Sequence, residues 1–242
     1  MNKNRFLLIE TSTEACSVAL AENDRILAKR WTNEPKAHAR LLAPFVTEVL
    51  AEHNLSLKDC QAIAVSQGPG SYTGLRVGVS TAKGLCYGAG LPLLGIGTLD
   101  LLAEAARLHL QAQGISAQRL LIIPMVDARR MEVYAARYNA DAQALTEPLP
   151  VILDEHSFEE EFQAYDRLVF IGDGVQKFRT ILSEEKQSKA SWFEECPDAS
   201  TMLRPARVAY EKKEFKDVAY FEPFYLKDFV AGTSKKSLLE FA

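Results

Sequence analysis

Positive charge is what this sequence has no surplus of: 28 Lys and Arg stand against 32 Asp and Glu, for a net charge of −4. Phosphate backbones are met by basic surfaces, so this balance gives no reason to expect nucleic-acid binding by the chain alone, though it leaves room for a local basic patch. Cysteine is scarce. Cys16, Cys60, Cys86 and Cys196 lie far apart, with no close pair to seed a zinc site, which reads as reduced cytosolic thiols. No apolar run reaches membrane-spanning length, and that in "MNKNRFLLIETS" is too short for a signal peptide. A cytoplasmic chain with no membrane partner is expected. The four histidines, His38, His53, His109 and His156, never fall four apart, so a helical imidazole pair is missing. Neither a metal nor a cofactor is expected.

What is there suits a large core. Of 242 residues, 48% are hydrophobic and 25% charged, and a chain of this size buries roughly 70% or more of its unfolded surface without disulfide or metal staples. Three strand-like runs, Phe6 to Glu10, Cys16 to Ala21 and Arg25 to Trp31, are separated by polar turns and predict an antiparallel meander. Residues 36–53 carry helical spacing, with Leu41, Phe45 and Val49 on one stripe and Leu42, Val46 and Leu50 beside it. Pro44 predicts a kink or a nearby start. A buried strand, Ala62 to Ser66, leads into a glycine turn. A helix from Leu75 to Tyr87, the strand "PLLGIGT" and the amphipathic helix "LDLLAEAARLHLQA" follow.

The pattern then restarts. "LLIIPMVDARRMEVYAARYN" reads as two strands around "DARR", followed by a helix-like polar stretch, the strand "RLVFIGDG" and "VQKFRTILSE". Two α/β halves are expected, 1–110 and 118–225, with 226–242 as a mobile tail.

The stretch "SQGPGSYTGLRVGVSTAKG" resembles a phosphate loop and fails its spacing. Five residues separate Gly68 from Gly74, where a P-loop has four and then Gly-Lys-Ser/Thr, and G-x-G-x-x-x-G is not the dinucleotide fingerprint. Ser71 or Thr73 is expected to cap the helix. Within it, Gly74, Gly78 and Ala82 recur four apart, and so do Ser80, Gly84 and Gly88. Each interior glycine costs about 1 kcal/mol against alanine. Small residues four apart form a groove into which another backbone can press. Two such ridges call for two neighbours: both inside the chain, or one on another subunit.

"ETSTEACSVAL", "AHARLLAPFV", "QGPGSYTGLRVGVSTAKGL", "LPLLGIGTLDLLA", "VDARRMEVYAARY" and "EPFYLKDF" occur in the order seen in the TsaB (YeaZ) family. The resemblance covers about residues 5–230. It implies an α/β fold of the actin-like, sugar-kinase and Hsp70 (ASKHA) superfamily with two duplicated RNase H-like lobes. It also implies a non-catalytic subunit that pairs with the larger paralogue TsaD, which transfers threonylcarbamoyl to N6 of adenosine 37 in tRNAs reading codons that begin with A. A TsaE-type ATPase joins the pair, tRNA is met only through the complex, and homodimers are expected when the partner is absent. The paralogue's metal-binding histidines have Thr98 and Leu102 in their place here, which also undercuts a zinc-peptidase reading.

Active superfamily members use an acid in each of two loops around Mg²⁺ and phosphate. Glu10 and Asp127 stand there, with Gly172 and Gly174 as a thin adenosine loop. An ATPase or sugar kinase built on them is the alternative, and turn-capping by both acids is the favoured reading. The two helices at 36–53 and 71–88 are expected to build a four-helix interface with the paralogue's matching pair. Its contacts would be His38, Leu41, Leu42, Phe45, Val49, Tyr72, Gly74, Arg76 and Gly78. A bulky Gly78→Leu would then break it.

Overall fold

A computed structural model describes residues 4–115 and 119–227. The meander forms as its polar turns dictate: β1 (Arg5–Glu10), β2 (Cys16–Glu22) and β3 (Arg25–Thr32) pair antiparallel. β1 and β2 are buried on both faces, so they read as continuous apolar runs, whereas the edge strand β3 alternates. Helix α1 (His38–Ala51) follows, beginning just after Lys36, whose φ of 61° lies outside the helical region. It runs on through Pro44, which is exposed. β4 (Ala62–Gly68) pairs parallel with β1. After α2 (Tyr72–Ala89), β5 (Leu93–Gly97) pairs parallel with β4, giving the order β3-β2-β1-β4-β5.

Helix α3 (Thr98–Ala112) leads to the second sheet. Its strands are β6 (Leu120–Asp127), β7 (Glu132–Ala135), β8 (Leu149–Ile152), β9 (Arg167–Ile171) and β10 (Ala190–Phe193), with the short helices α4 (Glu159–Ala164), α5 (Val175–Arg179) and α6 (Glu184–Ser188) between them. The sheet order is β10-β9-β6-β7-β8. Read from its other edge, this is an antiparallel meander followed by two parallel strands, the plan of the first sheet repeated. The duplication expected from the order of elements is therefore present in the topology, although no sequence identity carries it.

The sequence reading missed β8 and β10. β8 is an edge strand with Leu149, Pro150 and Ile152 exposed, so it has no apolar alternation to reveal it. β10 is a four-residue edge strand of half-buried residues. Where a helix-like stretch was expected, only the six-residue α4 is helical.

Four clusters make the core. One face of the first sheet, with Leu7, Ile9, Val18 and Val65, packs on α1 and α2. The other, with Phe6, Leu8, Ala19 and Ala64, meets Leu101 of α3 and the final helix α7 (Leu203–Glu211) through Ala206 and Ala209. The opposite side of α3, with Leu99, Leu102 and Ala106, covers Ile122, Val169 and Ile171 of the second sheet, so one helix serves both sheets. Residues 213–227 then return as a strap along the first sheet's β5 edge. The Lys216 amide donates to the Leu93 carbonyl (2.8 Å) and that of Phe224 to the Gln67 carbonyl (2.7 Å). Apart from residues 226 and 227, the expected tail lies outside the described residues. Among the described residues, no helix is long and apolar enough to cross a membrane.

Candidate functional site

The two loop acids are each engaged by their own chain. Glu10 ends β1 opposite Ser17 of β2, with its side chain fully buried. Its Oε1 accepts the Ser12 amide at 2.5 Å, and Oε2 has no partner among the described residues. Burial is the main force on its titration and raises it from 4.5 to about 7, with the charge of Asp198 adding to the rise and bonds from Ser12 and Ser66 opposing it. Asp127, at the end of β6, closes the "DARR" turn as Sequence analysis favoured: its Oδ1 accepts the Arg129 amide (2.5 Å), while Oδ2 pairs with Lys177 Nζ (2.8 Å). Its own amide donates to Asp173 Oδ1 at 2.9 Å. Burial raises Asp173 to about 6. Glu10 and Asp127 share no partner among the described residues.

Gly172 and Gly174 are held by packing. A Cβ at Gly172, where φ is +127°, would lie 2.1 Å from the Met125 carbonyl, and one at Gly174 would lie 2.7 Å from Val133. His38 opens α1, and its Nε2–H donates to the carbonyls of Thr13 (3.0 Å) and Ala15 (3.2 Å), tying the helix to the β1–β2 turn. Among the described residues no three His, Cys, Asp or Glu converge on a common point.

Glu10 makes stability depend on pH in a defined direction. Between pH 4.5 and about 7 the folded state keeps the proton that the unfolded chain releases, so stability falls as pH rises through that window. The whole effect is on the order of 3 kcal/mol. Asp173 acts with the same sign below about pH 6. Glu10→Gln is expected to flatten the difference between unfolding midpoints at pH 5 and pH 8, leaving Asp173's smaller slope. An unchanged difference in denaturant titrations would show that Glu10 titrates normally.

Helices α1 and α2 carry the remaining candidates, and here the structure corrects the sequence reading. Gly74 and Gly78 face inward: a Cβ at either would lie 2.1 Å from Thr11, from its carbonyl oxygen at Gly74 and from Oγ1 at Gly78. Leu42 and Val49 are likewise buried in the first core cluster. These four residues cannot be the contacts of an outer surface, because the chain's own sheet already occupies them. The other ridge faces out. Ser80, Gly84 and Gly88 are exposed, with nothing within 4 Å of a Cβ at either glycine. Tyr87 is 86% exposed beside them. Between α1 and α2 opens an apolar groove of about 340 Å³, lined by Ala43, Val46, Leu50, Leu55, Thr81 and Leu85. Leu41 and Phe45 are half-buried. Ser71 Oγ caps α2 by accepting the Gly74 amide (3.3 Å). Tyr72 and Arg76 lie at that end and turn to the strap: the Tyr72 and Tyr225 rings are 4.7 Å apart, and the Arg76 guanidinium sits 4.2 Å over Tyr72.

The family model described as TsaD, tRNA N6-adenosine threonylcarbamoyltransferase, matches residues 26–235. The tRNA threonylcarbamoyladenosine biosynthesis protein TsaB of Escherichia coli (strain K12) is 33% identical over 94% of this chain and 96% of its own length. That of Bacillus subtilis (strain 168) is 30% identical over 91% and 93%. Among solved structures, YeaZ from Pseudomonas aeruginosa superposes with a TM-score of 0.77 at 27% identity, covering 92% of this chain and all of that one.

Proposed function

The chain belongs to the TsaB (YeaZ) family, within the wider family of the TsaD threonylcarbamoyltransferase, and from that membership we propose that it is a non-catalytic partner subunit of a TsaD-type enzyme in the formation of N6-threonylcarbamoyladenosine in tRNA. One observation carries the reading. Gly84 and Gly88 each weaken α2 by about 1 kcal/mol, and among the described residues nothing uses the space they leave. Gly74 and Gly78 have an internal explanation in Thr11. The outer pair is explained by a neighbour from another subunit.

The surroundings suit that neighbour. A groove of aliphatic side chains beside an exposed tyrosine resembles the centre of a protein interface, where aromatic anchors and small residues allow close approach. Leu41, Phe45, Ser80, Gly84, Tyr87 and Gly88 are its contacts. TsaD, as a paralogue with a matching helix pair, is the partner that fits it, and a second copy covers the face when TsaD is absent. A TsaE-type ATPase joins through the assembled pair, and the protein acts in the cytoplasm. The two loop acids support a structural role, since Glu10 is sealed in the sheet and Asp127 is committed to its turn and to Lys177.

Reconstitution tests the proposal. With a TsaD-type enzyme, TsaE, threonylcarbamoyl adenylate and tRNA, modification is expected to require this chain and to survive Asp127→Asn, which keeps an acceptor for the Arg129 amide and removes the carboxylate. Modification at full rate without the chain, or its loss with Asp127→Asn alongside micromolar ATP binding by the isolated protein, would favour an enzyme built on Glu10 and Asp127.

A further inference from the structure

At the β6–β7 turn the charge balance of the whole chain is locally reversed. The β6–β7 turn presents Arg129 and Arg130, both exposed, with φ values of 68° and 49°. Neither makes an ion pair among the described residues. Left-handed backbone at two consecutive long side chains is unfavourable and is held by its surroundings. Asp127 accepts the Arg129 amide, and Lys177 Nζ donates to the carbonyls of Arg130 (2.8 Å) and Glu132 (3.0 Å) while pairing with Asp127. The local acid is therefore used to hold the backbone, and the two guanidinium groups have no counter-charge in an ion pair among the described residues.

Next to this turn the strap adds rings and further cations. Lys227 pairs with Glu132 at the start of β7. Two residues earlier, at most about 7 Å along the chain, the Tyr225 ring packs against Tyr72 at a 35° tilt and its hydroxyl accepts from Arg76 Nε at 3.4 Å. The acids facing the patch are Asp127 and Glu132, each with a lysine partner, Asp173 beneath the turn, and Glu222 near Arg76.

We propose that this patch is an RNA-binding site for a single-stranded loop, with phosphates on Arg129 and Arg130 and a base on the Tyr225–Tyr72–Arg76 stack. Guanidinium groups take phosphate oxygens in pairs. Stacked rings with a cation are how single-stranded bases are held irrespective of sequence. An acidic protein segment would use the arginines and leave the rings idle. The inference rests on the partner-subunit reading for the choice of RNA over other nucleic acids, and its ring end, Tyr72 and Arg76, adjoins the Ser80–Gly84–Gly88 ridge at the N-terminal end of α2 while Arg129 and Arg130 lie on the second sheet's turn.

The test is fluorescence anisotropy of a labelled tRNA anticodon stem-loop titrated with the full chain, alone and with its TsaD-type partner, at several salt concentrations. The double variant R129N/R130G removes two charges and puts in residues that accept positive φ, so its melting temperature is expected to hold or rise. Its affinity should fall, and the slope of log K against log salt should shrink by about 1.4, the value for two single-strand phosphates. Y225L, checked for an unchanged melting temperature, is expected to lose roughly 5- to 100-fold in affinity with the salt slope unchanged. RNA binding by R129N/R130G equal to the parent's would overturn the proposal. So would poly-glutamate competing as well as RNA, which would assign the patch to an acidic protein. Heterodimer formation should be indifferent to R129N/R130G. Its failure in the parent protein, with RNA binding intact, would count against the partner-subunit reading alone.

Discussion

Gly84→Leu is expected to leave the isolated chain as stable as the parent or slightly more so, and to weaken its association with a TsaD-type partner severely. Nothing lies within 4 Å of a Cβ at this position, so the side chain enters solvent and strains nothing. Replacing an exposed interior glycine with a good helix former gains just under about 1 kcal/mol, or roughly 2–4 °C in melting temperature for a chain of this size. On the proposed docking the same side chain would occupy the space through which the partner's helix approaches. Forcing two close-packed helices apart removes the contacts at the interface centre, an expected loss of about 2–4 kcal/mol, or roughly 30- to 1,000-fold in affinity. Sedimentation or calorimetry with purified partner reads the association, and mass spectrometry of tRNA nucleosides reads the modification. A Gly84→Leu chain that binds its partner with parental affinity would place the interface elsewhere.

Gly78→Leu should do the opposite and strongly destabilise the fold itself. Its Cβ would lie 2.1 Å from Thr11 Oγ1 and 3.3 Å from Thr11 Cβ, and Thr11 is fully buried with its amide held by Ser66 Oγ at 3.3 Å. A leucine has no direction in which to move away. A loss of about 4 kcal/mol or more is expected, at the upper end of single-residue effects, lowering the melting temperature by roughly 8–16 °C. Gly78→Ala should cost less, because the obstructing atom belongs to a side chain. Adding Thr11→Ala should then restore part of the loss, with a coupling of about 1 kcal/mol or more between the two sites. Gly74→Ala meets the Thr11 carbonyl itself, so no such rescue is open to it. Parental stability in Gly78→Ala would mean that the helix does not press on the β1–β2 turn. A Gly78 variant that loses its partner would report only on unfolding. Gly84 is the position that separates docking from folding.

The difference between these two glycines marks where sequence reading stopped. Spacing showed that α2 carries two small-residue ridges, and that two ridges call for two neighbours. It could not say which ridge turns inward, because a period of four residues defines stripes on a helix without setting the helix's rotation about its axis. That phase is set by Thr11, more than sixty positions earlier in the chain. Gly78 is for that reason an internal contact and not one of the outer face. The Ser71 cap was legible because a cap is a local hydrogen bond, made here over three residues. β8 and β10 were not legible, because short edge strands bury too little to leave a pattern.

From order and periodicity alone came the α/β class, the repeated hairpin-opening halves, and a chain rich enough in apolar residues to need no staple. The quoted motifs added the family resemblance that the comparisons bear out. Tertiary structure alone decided that Glu10 is sealed in the sheet, that the outer face of α2 belongs to Gly84 and Gly88, and that Tyr225 reaches Tyr72 and Arg76 across nearly 150 residues of chain. Local patterns record which neighbours a segment needs, since helix and strand periods are short-range properties. Which distant segment meets that need depends on the path of the folded chain, and no window of sequence contains it.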